Sequence, residues 1–190
     1  NGTSNPAVRG MAPDAVGFYT NYYYSGSTTC SQSHSRNTSI NNLINNDQVM
    51  FTTASWGNSR TFNYTSISAD ADDLVFDLRI PWTQSQSNAG NQDSRPQAWG
   101  KNIISVGGFD HYNNADPSDD SWLGGNGSTG PAQDGRNKPD LSAYYDGIGA
   151  SDLTGTEGYS NGNWTSNFGG TSGATPIVAG HNALAIQMYT

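Results

Sequence analysis

The chain contains a single cysteine, Cys30, so no intrachain disulfide can form, and a lone Cys reads as a small buried hydrophobe. Charge is also scarce: only 13% of the 190 residues are Asp, Glu, Lys or Arg, and the 8 basic residues are outnumbered by 16 acidic ones. A phosphate-binding surface needs clustered Lys and Arg, and none occurs, so a nucleic-acid partner is not expected. No apolar run approaches the roughly 18 residues of a membrane span, so no membrane partner is expected either. The opening residues Asn1-Gly2-Thr3-Ser4 lack the charged start and apolar stretch of a signal peptide.

What is present points to a folded chain. Apolar residues make up 33% and aromatics 11%, whereas disorder goes with high charge and few aromatics. With so little charge, Asn, Ser, Thr and Gly must cover the surface. That acidic, polar-uncharged make-up fits an extracellular (secreted) protein better than a cytosolic one.

Residue patterning suggests strands alternating with helices. Residues 20–47 read as loop with a short helix near 41–46, and residues 48–54 as a strand ending at Ser55-Trp56-Gly57. Residues 70–79 open with acids and close with a base, as a helix dipole prefers, and Pro81 stops them. A polar strand is expected over 82–87, a turn over 88–91 and a β-rich run over 101–107, bounded by glycines. Residues 110–137 read as loop, and residues 175–188 form an apolar-faced closing helix. The alternation implies an α/β fold with a largely parallel sheet.

The segment Gly169-Gly170-Thr171-Ser172-Gly173-Ala174-Thr175-Pro176 precedes that last helix. A Ser here could be a nucleophile: small neighbours admit a peptide backbone, and unpaired helix N–H groups can stabilise an oxyanion. It could equally be an ordinary N-cap. Asn91 has the same duality, since Gly-Asn is also a turn signal stabilised by local hydrogen bonds.

Gly170-Thr171-Ser172-x-Ala174-Thr175-Pro176, followed by Val178-Ala179-Gly180, resembles the nucleophile signature of the subtilisin-like serine proteases. Further resemblances occur in that family's chain order: Arg9-Gly10-Met11-Ala12-Pro13, Ser55-Trp56-Gly57, Ala89-Gly90-Asn91, Lys101 to Gly107, Gly130-Pro131, and Asp134-Gly135-Arg136 with Lys138-Pro139-Asp140-Leu141. Together they span nearly the whole chain. The resemblance implies an α/β, subtilisin-like fold, with a mostly parallel β-sheet and helices on both faces. Residues 1–190 would form a partial peptidase domain truncated at the N-terminus. The family's Asp-Thr/Ser-Gly and His-Gly-Thr-His motifs are absent, and His34, His111 and His181 all lie outside the family's His context. The catalytic Asp and His are therefore expected upstream, on a missing N-terminal segment of the same domain. Two smaller departures are Ala143-Tyr144-Tyr145, in place of Ala-Pro-Gly, and the unusually polar run Gln84 to Asn88.

By this resemblance the protein is a serine endopeptidase acting on protein or peptide substrates. Ser172 attacks the scissile carbonyl. Its own N–H and the Asn91 side-chain amide hold the oxyanion, with Thr171 assisting. Ser55, Trp56 and Gly57 bind the substrate, which adds as an extended strand. No cofactor is required for the chemistry. Structural calcium is conceivable at Asp70, Asp72 and Asp73 or at Asp116, Asp119 and Asp120, although acidic runs also serve as helix starts and solvated faces. Alternative readings are a non-catalytic binding module on the same scaffold and an unrelated adhesive or carbohydrate-binding domain. Truncation is also expected to leave Val106, Ile177 and Val178 exposed.

Overall fold

The computed structural model describes residues 9–19, 35–122, 126–156 and 158–190. Cys30 and His34 lie outside them. Helix α1 spans Arg36–Asp47, strand β1 Thr52–Ala54, helix α2 Ser66–Leu78, β2 Trp82–Ser85, β3 Ile104–Phe109, β4 Leu141–Tyr144, β5 Ile148–Ser151, β6 Trp164–Phe168 and helix α3 Thr171–Tyr189. A short 3-10 helix, Pro96–Trp99, lies between β2 and β3.

Local signals explain the helix boundaries. The Ser35 side chain caps α1 by accepting the Thr38 N–H, so the helix starts five residues before its patterning suggested. α2 starts at Ser66 rather than Asp70. The Ser68 hydroxyl accepts the Thr65 N–H, which satisfies a donor just ahead of the first turn. Arg79 closes α2 in the left-handed conformation, donating its N–H to Val75.

Strands β1 to β4 form one sheet in the order β1-β2-β3-β4, every pair parallel. β4 and the antiparallel β5–β6 hairpin were not anticipated from the sequence. Their residues, such as Leu141-Ser-Ala-Tyr and Trp164-Thr-Ser-Asn-Phe, mix polar and small side chains without the apolar alternation that marks a strand.

Side-chain alternation divides the sheet into two covered faces. Ser85 and its register partner Val106 face α3, where Val106, Ala143, Ala174 and Val178 form one core. Trp82, of opposite parity, joins Ile40 of α1, Ala71 and Leu74 of α2, Ile80 and Ile103 in the other. The expectation that Val106, Ile177 and Val178 would face water is corrected. Val106 and Val178 are buried and Ile177 packs against them, because α3 lies across β3 and β4 and covers that face by itself.

Two buried ionic groups staple the core. The first is Asp72 of α2, whose Oδ2 accepts Lys101 N–H and the Tyr64 hydroxyl (both 2.8 Å) while Oδ1 accepts Asn102 N–H at 2.6 Å. Its oxygens are thus engaged by protein donors, while Asp70 and Asp73 point outward. In the other acidic stretch, Asp116 accepts Ser118 N–H and Asp119 accepts the Asn114 amide. Among the described residues, no group of three or more His, Cys, Asp or Glu is placed to hold a metal ion. Asp72→Ala leaves two loop amides and a phenol without their acceptor and is expected to destabilise the chain by about 3 kcal/mol, as read by urea unfolding.

The second staple belongs to the Lys138-Pro139-Asp140-Leu141 segment. The Lys138 ammonium is buried, 2.8 Å from the Ile103 carbonyl and 2.6 Å from Asp140 Oδ2. Burial draws its pKa down, and the Asp140 partner opposes that. Asp140 also accepts the Ser105 N–H and hydroxyl, which ties the entry of β4 to β3.

Candidate active site

Helix α3 begins beside the C-terminal ends of the parallel strands, the edge at which open α/β sheets bind ligands. Ser172 is its second residue. The chain enters the helix through Gly170 at φ 76°, a conformation that L side chains rarely adopt; a Cβ there would also come within 3.0 Å of the Asn88 Nδ2.

The helix contains Pro176, four residues after Ser172. Proline has no N–H, so the Ser172 carbonyl loses its normal intrahelical donor. The Ser55 hydroxyl donates to that carbonyl instead, at 3.0 Å. In return, the Ser172 hydroxyl donates to the Ser55 carbonyl at 3.3 Å. The motif proline thereby couples the nucleophile candidate to the segment after β1. Ser172 and Ser55, predicted separately, are brought into direct contact.

Thr171 is fully buried. Its hydroxyl accepts Ser87 N–H at 3.1 Å, lies 2.7 Å from Ser85 Oγ and donates to Asn88 Oδ1 at 2.8 Å. The Thr171 N–H also donates to Asn88 Oδ1, at 2.9 Å. With its carbonyl oxygen held twice by Thr171, Asn88 turns its Nδ2 toward Gly170. Asn91 is placed differently. Its Oδ1 accepts the Asp93 N–H at 2.8 Å, and its backbone carbonyl accepts the Thr129 N–H. These are the local bonds of a turn. The amide that bonds to the α3 N-terminus is that of Asn88, a residue the sequence motifs do not single out. The signal lies in Ser87, a non-glycine residue at φ 103°, where the chain leaves β2 and aims Asn88 at Thr171.

Trp56 is 45% exposed and stacks against the Arg36 guanidinium, whose Cζ lies 5.0 Å from its ring centre. A Cβ on Gly57 would meet Gln97 Oε1 at 2.6 Å, so this position accepts only glycine without rearrangement. The segment borders a cleft of about 830 Å³ that reaches from residues 12–19 along β1 to the last turns of α3.

Neither described histidine ring bonds to Ser172. His181 Nδ1 lies 2.8 Å from the Ile177 carbonyl of its own helix. The His111 ring stacks on Tyr144, and its Nδ1 and backbone N–H both donate to Asp146 Oδ1, at 2.7 and 2.8 Å. This pair clips the loop after β3 to the loop after β4. Next to it, the Tyr145 carbonyl accepts the Gly170 N–H at the entry to α3. The divergent Ala143-Tyr144-Tyr145 run therefore supports the nucleophile helix.

Burial pushes the Asp146 carboxyl up, but the His111 bonds outweigh it and hold the pKa below its ordinary 3.8. Neighbouring Asp110 is shifted the other way, raised by burial and then by Asp146. A carboxylate with a depressed folded pKa contributes stability above its unfolded value and loses it as pH falls through the folded one. Asp146→Asn should therefore lower the thermal midpoint at about pH 6, and its gap to the parent chain should close toward about pH 2. A gap unchanged across that range would show that the clip does not act through the Asp146 charge.

The family model for the subtilases (Peptidase_S8) matches residues 1–190. No curated protein matches the chain. Among solved structures it is similar to the prenylagaramide maturation protease PagA, at 20% identity and a TM-score of 0.57 over 80% of this chain and 49% of that one. It is also similar to a lanthipeptide protease (17%, TM-score 0.57, 80% of this chain and 51% of that one) and to sphericase (20%, TM-score 0.53, 75% and 44%). The chain spans about half the length of each of these structures. At such identities the structural likeness is one of fold, a subtilisin-like α/β architecture; the family match covers the sequence from end to end, and the chain belongs to the subtilase family of serine proteases.

Proposed function

We propose that this chain is the nucleophile-bearing part of a serine endopeptidase, with Ser172 as the attacking residue. The observation that carries the reading is the position of Ser172 at the N-terminus of α3, its hydroxyl within 3.3 Å of the Ser55 carbonyl and the Asn88 amide held against the preceding residue. A base removes the hydroxyl proton as Oγ bonds to the scissile carbonyl carbon, and the carbonyl electron pair moves onto oxygen. The Ser172 backbone N–H and a side-chain amide receive that oxyanion. Collapse expels the amine, which takes the proton, and water then hydrolyses the acyl-enzyme. Asn88 is the candidate amide on its contact with Thr171, next to Ser172, and Asn91, whose Nδ2 is left free by the Asp93 bond to Oδ1, is the alternative donor.

The base and its orienting acid come from sequence upstream of this chain in this reading. Among the described residues β1 is an edge strand of the main sheet, and the cleft beside it borders Ser55. Strands carrying the Asp and His would extend the sheet there and bring the imidazole to Ser172. Substrates are extended protein or peptide segments lying along Ser55-Trp56-Gly57, and the low-charge polar surface suits a secreted enzyme. A non-catalytic module on the same scaffold is the competing reading, since both described histidines are engaged elsewhere. Peptide hydrolysis by the full-length protein, with and without Ser172→Ala, separates the two.

A further inference from the structure

The polar run Gln84 to Asn88 is unusual for a strand buried on both faces, where apolar residues normally dominate. Gln84 is fully buried, and Gln97, on the 3-10 helix behind it, is 2% exposed. Burying a primary amide costs free energy unless it is hydrogen-bonded, so each needs a structural reason. Both amides reach the same short stretch of backbone. Gln84 Nε2 donates to the Trp56 carbonyl at 3.0 Å. Gln97 Oε1 accepts the Asn58 N–H at 3.2 Å while its Nε2 donates to Asn58 Oδ1 at 2.5 Å. Arg95 adds a fourth bond, Nη1 to the Asn58 carbonyl at 3.0 Å.

The Trp56 carbonyl and both backbone groups of Asn58 are thus engaged from behind, and Gly57 packs on Gln97 so closely that it has no room for a side chain. Gly57 itself, between them, has neither its N–H nor its C=O in a hydrogen bond to the described residues. In paired strands, neighbouring residues turn their backbone groups to opposite sides, so holding 56 and 58 inward turns those of 57 outward.

We propose that Gln84, Arg95 and Gln97 are positioning residues for substrate. They hold the Trp56–Asn58 backbone from the rear, so that the Gly57 N–H and C=O form a rigid docking rung for an extended peptide. This rests on the protease reading above and gives the buried Gln84 amide of β2 a role. Preorganising a loop lowers the ordering cost of each binding event, so loosening it weakens affinity without new repulsion.

The test measures peptide docking apart from catalysis, by calorimetry on the full-length protein in a Ser172→Ala background. The probes are an extended hexapeptide amide, long enough to run along Gly57, and a capped dipeptide. Adding Gln97→Leu should raise the hexapeptide Kd about tenfold while moving the dipeptide Kd less than about twofold. Gln97→Glu, which keeps the acceptor for Asn58 N–H, should recover part of the loss. If Gln97→Leu does not fold, as judged by its thermal transition, Arg95→Gln takes its place with the same expected direction. An unchanged hexapeptide Kd in the folded variant, or equal weakening of both probes, overturns the positioning role. Absence of Ser172-dependent turnover in the parent protein overturns the protease reading instead.

Discussion

Replacing Ser172 by Ala in the full-length protein is expected to lower peptide turnover roughly 10⁴-fold or more, with little change in substrate affinity. A hydroxyl is a weak nucleophile at its free pKa and acts only when an adjacent base takes its proton. Ser172 has the placement for this, but in this chain its hydroxyl donates to the Ser55 carbonyl, which cannot serve as that base. The 190-residue chain alone should therefore show no turnover, and activity should appear only with the residues that bring an imidazole to Ser172. Steady-state kinetics on a peptide amide would check both statements. Activity of the isolated chain that disappears with Ser172→Ala would mean that a histidine of this chain reaches the serine.

The second expectation separates two asparagines three residues apart. Asn88→Ala should lower kcat roughly 10²–10³-fold with a near-constant KM, whereas Asn91→Ala should cost less than about threefold. The larger range is the effect known for the oxyanion amide of subtilisin, a member of the same family. The reason for the asymmetry is geometric. An oxyanion donor stabilises charge that develops only in the transition state, so it must be aimed beforehand. Two bonds from Thr171 fix the Asn88 amide plane against the helix that carries Ser172, whereas the single bond to Asn91 Oδ1 comes from Asp93 in its own loop. A large loss at Asn91 with none at Asn88 would reverse the assignment.

Sequence reasoning is strongest where a local pattern has a local cause. The α3 N-terminus was legible because Gly170-Thr171-Ser172 must combine a left-handed entry, a buried hydroxyl and a half-buried one within three residues. The Pro81 stop after α2 and the β-rich run of β3 were legible for the same reason. The contact of Asn88 with Thr171 was harder to read. Ala89-Gly90-Asn91 marks the correct loop, but a tripeptide does not reveal where the preceding strand ends. That depends on β2 pairing with β1 and β3, and on Ser87 turning the chain at φ 103°. Strand β4 was missed because its alternation is weak, and its pairing with β3 is a long-range contact.

By itself, then, the sequence determined the family, the class of sheet, the nucleophile candidate and the absence of a histidine in the family's catalytic context. Each of these rests on residue identity or on spacing within a few positions. Only the tertiary structure decided which asparagine meets Thr171, that Ser55 takes up the carbonyl freed by Pro176, and that the buried Gln84 amide reaches the Trp56 carbonyl. Those outcomes join residues from 28 to 117 positions apart, such as Gln84 with Trp56 and Ser55 with Ser172. Contacts of that range are set by how strands and helices pack, and no local pattern encodes them.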